Sequence, residues 1–237
     1  MNANVLAIRS SHCPAQNRFR GGEWLPISGM VHRHSLTTTA IPDMSYLFFD
    51  TETTGLPKNG DAPITDTDNW HPTVQIAWAP VSVAERTIGE TASYIIQPDG
   101  FVIPPDATDI HGISTDRARR EGHPLGEVLD AFLKAAAGSD GLVAHNIDFD
   151  VPTVRTELVR LQRPDPIADI STICTKEEST DYCKLPSTSR WHSGYKWPSL
   201  QELHEILFDQ NFENAHDAGS DVEAWTPLLP AGARIWR

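Results

Sequence analysis

Hydrophobic and polar positions along this chain follow two periods. Tyr46-Leu47-Phe48-Phe49 is a short unbroken apolar run, closed by a Thr/Gly/Pro cluster, and it predicts a buried strand. Residues 58–72 are polar and rich in turn formers, so they read as a loop, and a second strand spans 74–83. Another covers 93–96 and stops at Pro98-Asp99-Gly100. The period then lengthens, predicting helices over about 114–120 and 125–137, the second with Leu125, Val128, Leu129, Phe132 and Leu133 at helical spacing. Gly141-Leu142-Val143-Ala144-His145 is a further strand, and a helix opening at Asp150 runs to about residue 161. Ser199-x-x-Glu202 is a capping box that starts a helix to about residue 208, and a last helix covers about 217–229. Three β-rich segments followed by alternating α and β predict an α/β fold, a mixed sheet flanked by helices.

Composition sets the frame around this pattern. A chain of 237 residues with 39% hydrophobic content can fill one core, so one domain over residues 44–237 is expected. Residues 1–43 differ: four Arg, no Lys, only Glu23 and Asp43 as acids, and no sustained period. They are expected to be a disordered leader or an extension upstream of the true start at Met44. Cys13, Cys174 and Cys183 form no C-x-x-C pair, which argues against a disulfide framework or a zinc ribbon and for a reducing cytoplasm. No apolar run approaches the roughly 20 residues that cross a bilayer. A net charge of -13 argues against a general nucleic-acid coat, which needs many cations to displace counterions. It does not exclude a nuclease whose clustered carboxylates hold divalent cations.

Three segments carry candidate chemistry. Asp50 and Glu52 stand at the end of the first apolar strand, where a period of two puts both carboxylates on one face. The spacing alone is weak, since 32 acids in 237 residues produce roughly four such pairs by chance, and a solvated strand end explains it equally well. Asp150 lies where His145-Asn146-Ile147-Asp148-Phe149-Asp150 turns into a helix; an N-cap is the plain alternative, and Asp148 competes as a ligand. His216 precedes Asp221 by five residues at a helix entrance, close enough for one to bind a metal while the other addresses a water.

Taken in order, the segments resemble a known family. Phe49-Asp50-Thr51-Glu52-Thr53-Thr54-Gly55-Leu56, His145-Asn146-x-x-Phe149-Asp150 and Ala215-His216-Asp217-Ala218-x-x-Asp221 are similar to the three motifs of the DEDDh (DnaQ-like) 3′-5′ exonucleases. That family includes the proofreading epsilon subunit of bacterial DNA polymerase III. The resemblance spans about residues 45–229, taking in His111-Gly112-Ile113 and Pro198-Ser199-Leu200. It implies a ribonuclease-H-like fold, two Mg²⁺ or Mn²⁺ ions, and release of nucleoside 5′-monophosphates from a 3′ end. By position, Asp50, Glu52, Asp150 and Asp221 would be metal ligands and His216 the general base. Thr53, Gly55, Leu56 and His111 would contact the terminal nucleotide, with core packing the alternative for Leu56 and capping or packing for His111.

The chemistry agrees with that assignment. Phosphodiester hydrolysis needs a deprotonated water, in-line geometry and charge neutralisation, and two cations about 4 Å apart serve all three. Carboxylates favour Mg²⁺ or Mn²⁺ over zinc. Residues 182–198 mix Lys184, Arg190 and Lys196 with Trp191, Tyr195 and Trp197, as expected where a single strand stacks, although a surface loop pinned by its aromatics has the same composition. The expected substrate is the 3′ end of single-stranded or frayed DNA, with a role in proofreading or repair. Two alternatives stand beside it: an RNA 3′ exonuclease or oligoribonuclease of the same fold, and a non-catalytic nucleic-acid binding module.

Overall fold

β1 (Ser45–Thr53) sits at the centre of the sheet, which is why its apolar run is unbroken. In a computed structural model describing residues 44–187, 194–210, 212 and 215–224, it pairs antiparallel with β2 (Thr73–Ser82) and parallel with β5 (Gly141–Ala144). Strand order is β3 (Thr87–Ile88), β2, β1, β5 and β6 (Thr172–Cys174), with β4 (Ala92–Ile95) also on β2. The sheet is therefore mixed, as the pattern predicts. The expectation for residues 1–43 and that for 225–229 lie outside the described residues.

Helices cover both faces. On one, α3 (Leu125–Ala136) and α4 (Ile147–Arg160) bury Val128, Leu129, Phe132, Val154 and Leu158 against Leu47, Phe49, Trp78 and Leu142. On the other, α7 (Leu200–Phe208) packs Leu203 on Phe48, Val81 and Val143. Beside it, α8 (Ala218–Ala224) sets Ala218 and Val222 on Ala77 and Ala79. These small residues let α8 approach closely, and a Cβ on Gly219 would come within 3.3 Å of Ser93 and Asp217.

The remaining helices are α1 (Pro105–His111), α2 (Thr115–Glu121), α5 (Thr175–Glu178) and α6 (Thr180–Cys183). Of these only α2 is predicted from the sequence; α5, α6, β3 and β6 are too short for a period to show, and α1, as long as α2, went unpredicted. The Ser199 capping box forms as predicted, with Ser199 Oγ accepting from the Glu202 N–H at 3.2 Å and a Glu202 carboxylate oxygen accepting from the Ser199 N–H at 2.8 Å.

One boundary corrects the sequence reading and one agrees with it. β1 continues past its apolar run to Thr53, so Asp50 and Glu52 are strand residues as expected, because β2 supplies ladder partners along its whole length, Ala77 opposite Asp50 and Gln75 opposite Glu52. α4 opens at Ile147 rather than Asp150: Asn146 is its N-cap, and the Asp150 N–H donates to the Asn146 carbonyl at 3.2 Å. Asp150 is consequently no cap, and its carboxylate is free for another purpose.

Pairing with β5 stops at Phe48, so the last residues of β1 lack a neighbour on that side. An opening results at the carboxyl ends of β1 and β5, where β1 changes from an antiparallel to a parallel neighbour. Ligands of open α/β sheets bind in such places.

Candidate active site

The carboxyl ends of β1 and β5 border a cleft of about 700 Å³ that receives side chains from the strand, from α1, from α4 and from the start of α8. All nine residues to which the family resemblance gives a role line it: Asp50, Glu52, Asp150, His216 and Asp221, with Thr53, Gly55, Leu56 and His111. Asp148, two residues before Asp150 on the same helix, is exposed and outside the lining. The carboxylates lie far apart in sequence and meet only through the fold.

Each is held differently. Asp50 and Glu52 share the face of β1 that meets α8, since Ala77, opposite Asp50 on β2, packs on Ala218 and Val222. Asp150 is buried, and its Oδ1 accepts from the Thr51 N–H at 3.1 Å and the Thr51 hydroxyl at 2.7 Å. Asp221 is buried, with Oδ2 accepting from the His216 N–H at 3.2 Å, while its Oδ1 is buried without a hydrogen-bond partner. Ligand atoms of Glu52, His216 and Asp221 lie within 4.8 Å of one another. A buried carboxylate oxygen with no donor, beside three more carboxylates, has the chemistry to hold a cation.

Electrostatics agree. Burial, followed by the charges of Asp150 and Asp221, pushes the Asp50 carboxyl well above the ordinary range. Burial likewise raises Glu52 to about 8, with Asp221, Asp150 and Asp217 adding to it. Asp150 is raised to about 7 by burial, against the two hydrogen bonds from Thr51, and Asp221 to about 7 by burial, against the His216 N–H. Among the described residues only one permanent cation, Lys176, lines the cleft. Four ionised carboxylates therefore need a further positive charge to coexist there.

His216 occupies the turn before α8 with φ of 70°, a left-handed conformation that costs energy for a non-glycine residue. The sequence reading puts it at a helix entrance, and the structure has it there, two residues ahead of α8 and exposed. Gln75, buried on β2, holds this turn. Its Nε2 donates to Asp217 Oδ2 at 3.0 Å and Ser93 Oγ at 3.1 Å, and its Oε1 accepts from the Ala218 N–H at 3.2 Å. Asp217 Oδ1 in turn accepts from the Ser220 N–H at 3.0 Å. Sequence reasoning missed Gln75; the available signal was a single amide inside the apolar run Val74-Gln75-Ile76-Ala77-Trp78.

The neighbouring wall is mixed. Leu56 is 77% exposed and Ile110 59%, so a core role for Leu56 is excluded and both offer apolar surface at the rim. His111 is buried, with Nδ1 accepting from the Ile113 N–H at 3.2 Å and Nε2 lacking a hydrogen-bond partner. Burial lowers its pKa. A Cβ on Gly55 would come within 3.2 Å of the His71 ring, so the turn after Glu52 admits no side chain without displacement.

The model of the RNase_T exonuclease family matches residues 47–229. The chain belongs to this exonuclease family. Among relatives of this exonuclease-family chain, a DNA polymerase III subunit epsilon-like protein of Rhodobacter capsulatus is 33% identical over 138 residues, which is 57% of this chain and 18% of that protein. A zinc-bound complex of E. coli exonuclease I with single-stranded DNA superposes with a TM-score of 0.61 at 21% identity, covering 81% of this chain and 42% of that one. Cell-death related nuclease 4 gives 0.61 at 17% identity, covering 82% and 65%. At these identities the two structures establish the fold, the ribonuclease-H-like sheet flanked by helices. Among the described residues no helix is long and apolar enough to cross a membrane.

Proposed function

We propose that this chain is a divalent-metal-dependent 3′-5′ exonuclease that releases nucleoside 5′-monophosphates from single-stranded or frayed DNA 3′ ends. One observation carries the reading: four carboxylates from β1, α4 and α8 converge with an imidazole in one cleft, and one buried Asp221 oxygen has no donor. Asp50, Glu52, Asp150 and Asp221 would hold the cations, and an all-oxygen acidic set suits Mg²⁺ or Mn²⁺. When bound there, such ions neutralise phosphate charge and make water a better nucleophile. His216 takes the proton from the attacking water, and the Gln75 clamp on Asp217 and Ala218 keeps its turn in place. Thr53, Gly55, Leu56 and His111 receive the terminal nucleotide, Leu56 offering an exposed apolar face to a base.

The single-stranded DNA in the exonuclease I complex and the epsilon-like relative favour DNA and a proofreading or repair setting. Residues 44–237 form the catalytic domain on this reading, with 1–43 dispensable. The free thiols of Cys174 and Cys183 accord with a reducing cytoplasm. The test is Mg²⁺-dependent digestion of matched 5′-labelled DNA and RNA oligonucleotides by the wild type and by Asp50→Ala. A ladder shortening from the 3′ end, faster on DNA and lost with the variant or with EDTA, is expected. Faster RNA shortening would move the assignment to an RNA 3′ exonuclease, and no ladder on either would overturn the catalytic reading.

A further inference from the structure

The acidic cleft has one permanent cation among its described lining residues, and that cation belongs to a second feature. Lys176, on α5, places Nζ 4.5 Å from the centroid of the Trp197 ring and hydrogen-bonds Asn146 Oδ1, the N-cap of α4. Trp197 is 60% exposed even with Lys176 over it. An indole left this open costs apolar exposure that a core role would remove, and the cation on its face is desolvated on one side only.

The surroundings hold the pair in position. His145, at the end of β5, donates from Nε2 to the Pro198 carbonyl at 2.9 Å, and its Nδ1 meets the Thr175 hydroxyl at 3.1 Å. One side chain thus ties the residue after Trp197 to the residue before Lys176. The Ser199–Glu202 capping box fixes the chain just beyond. Lys196, which composition makes an equal candidate, is bound to Glu202 and is not free in the same way. Lys176 and Pro198 both line the cleft, so the platform is continuous with the acidic site.

We infer that Lys176 and Trp197 form a docking platform for the single strand next to its reacting 3′ end, Trp197 stacking on a base and Lys176 meeting a backbone phosphate. The inference rests on the nuclease reading, since it takes the strand to end among the carboxylates. Charge supports it. A chain of net charge -13 must place its few phosphate contacts deliberately, and Lys176 is where the cleft supplies one. Neither contact reads a sugar, so the platform serves strand length rather than the choice between DNA and RNA.

The test compares Trp197→Ala and Lys176→Met with the wild type on two probes: the 4-nitrophenyl ester of thymidine 5′-monophosphate, too short to reach the platform, and a 5′-labelled ten-residue oligothymidylate. Trp197→Ala is expected to lower kcat/KM on the ten-mer about tenfold more than on the ester, a loss in the lower range for base–aromatic stacking. Lys176→Met is expected to reduce the log–log salt dependence of ten-mer binding by about 0.7, one single-strand phosphate contact. Equal losses on both probes, or no loss on either, would overturn the platform. Trp197→Phe, which keeps a stacking ring, should recover most of the ten-mer preference; a folded Trp197→Phe behaving like Trp197→Ala would also overturn it. If the wild type hydrolyses neither probe, anisotropy of the labelled ten-mer decides: Trp197-dependent binding keeps the platform while the nuclease reading falls, and Trp197-independent binding removes both.

Discussion

Replacing Asp150 by Asn should stabilise the metal-free protein while destroying its activity, because the carboxylate is held in a place where its charge is unwelcome without a cation. Burial raises the Asp150 pKa from 3.8 to about 7 against two hydrogen bonds from Thr51. A group whose folded pKa lies above its unfolded value binds more protons when folded. Stability is therefore lost as pH rises from about 4 to about 7, and is fully lost only above the folded pKa. Each unit is worth about 1.4 kcal/mol, so the interval from 3.8 to about 7 corresponds to at most about 4 kcal/mol at pH 8. Asn keeps an acceptor for both Thr51 donors but buries an amide NH₂, which costs about 1–3 kcal/mol if it finds no partner. The net gain is about 1–3 kcal/mol, or about 2–12 °C in Tm for a domain of this size.

The assay is thermal unfolding in EDTA at pH 8 and pH 5, repeated at pH 8 with excess Mg²⁺. Asp150→Asn should melt above the wild type at pH 8 in EDTA and level with it at pH 5, where the carboxyl is already protonated. Saturating cation should raise the wild type by about 2.7 kcal/mol at a hundredfold excess over Kd, and the variant by much less. A variant that melts below the wild type at pH 8 in EDTA would refute the reasoning, since it would show that fixed groups of the fold already satisfy the Asp150 charge.

Three further perturbations probe other parts of the site. His216→Ala should reduce kcat about 10²–10⁴-fold with little change in KM, the size of general-base catalysis; a large rise in KM instead would make His216 a binding group. Gln75→Leu leaves Asp217 and the Ala218 N–H without their partner and should cost about 1–3 kcal/mol in denaturant unfolding, with kcat falling as the turn that carries His216 loosens; an unchanged kcat in the folded variant would show that Gln75 does not hold that turn. Glu157 is buried, accepts from the Thr73 N–H at 2.8 Å and pairs with Arg160 at 2.8 Å, while Arg160 also donates to the Thr67 and Trp70 carbonyls, so Glu157→Ala strands the Thr73 N–H but not the guanidinium and should cost about 1–3 kcal/mol by chemical denaturation; a cost near zero would show the pair to be dispensable.

Much of this molecule is written in local pattern. The unbroken run Tyr46–Phe49 announces a central strand, the spacing of Val128, Leu129 and Phe132 announces α3, and Ser199-x-x-Glu202 announces α7, because each depends on residues within one or two turns of each other. The acids and the histidine were visible as residues, and their order along the chain resembled a family, but nothing local distinguished Asp150 from a cap or from Asp148. That distinction came from α4 opening at Ile147, which turns Asp150 inward onto Thr51 of another strand. Gln75 reaches Asp217 across 142 positions, and Lys176 meets Trp197 from a different element; no periodicity encodes either contact. Short pieces such as α1 and β6 were invisible for the same reason, since they exist only where the sheet and the cleft give them partners. Local pattern alone was enough for the longer strands and helices and for the acids and the histidine that could do chemistry. Only chain reversal around a mixed sheet decided which of them share a cleft, because burial and charge crowding arise between residues that the sequence keeps far apart.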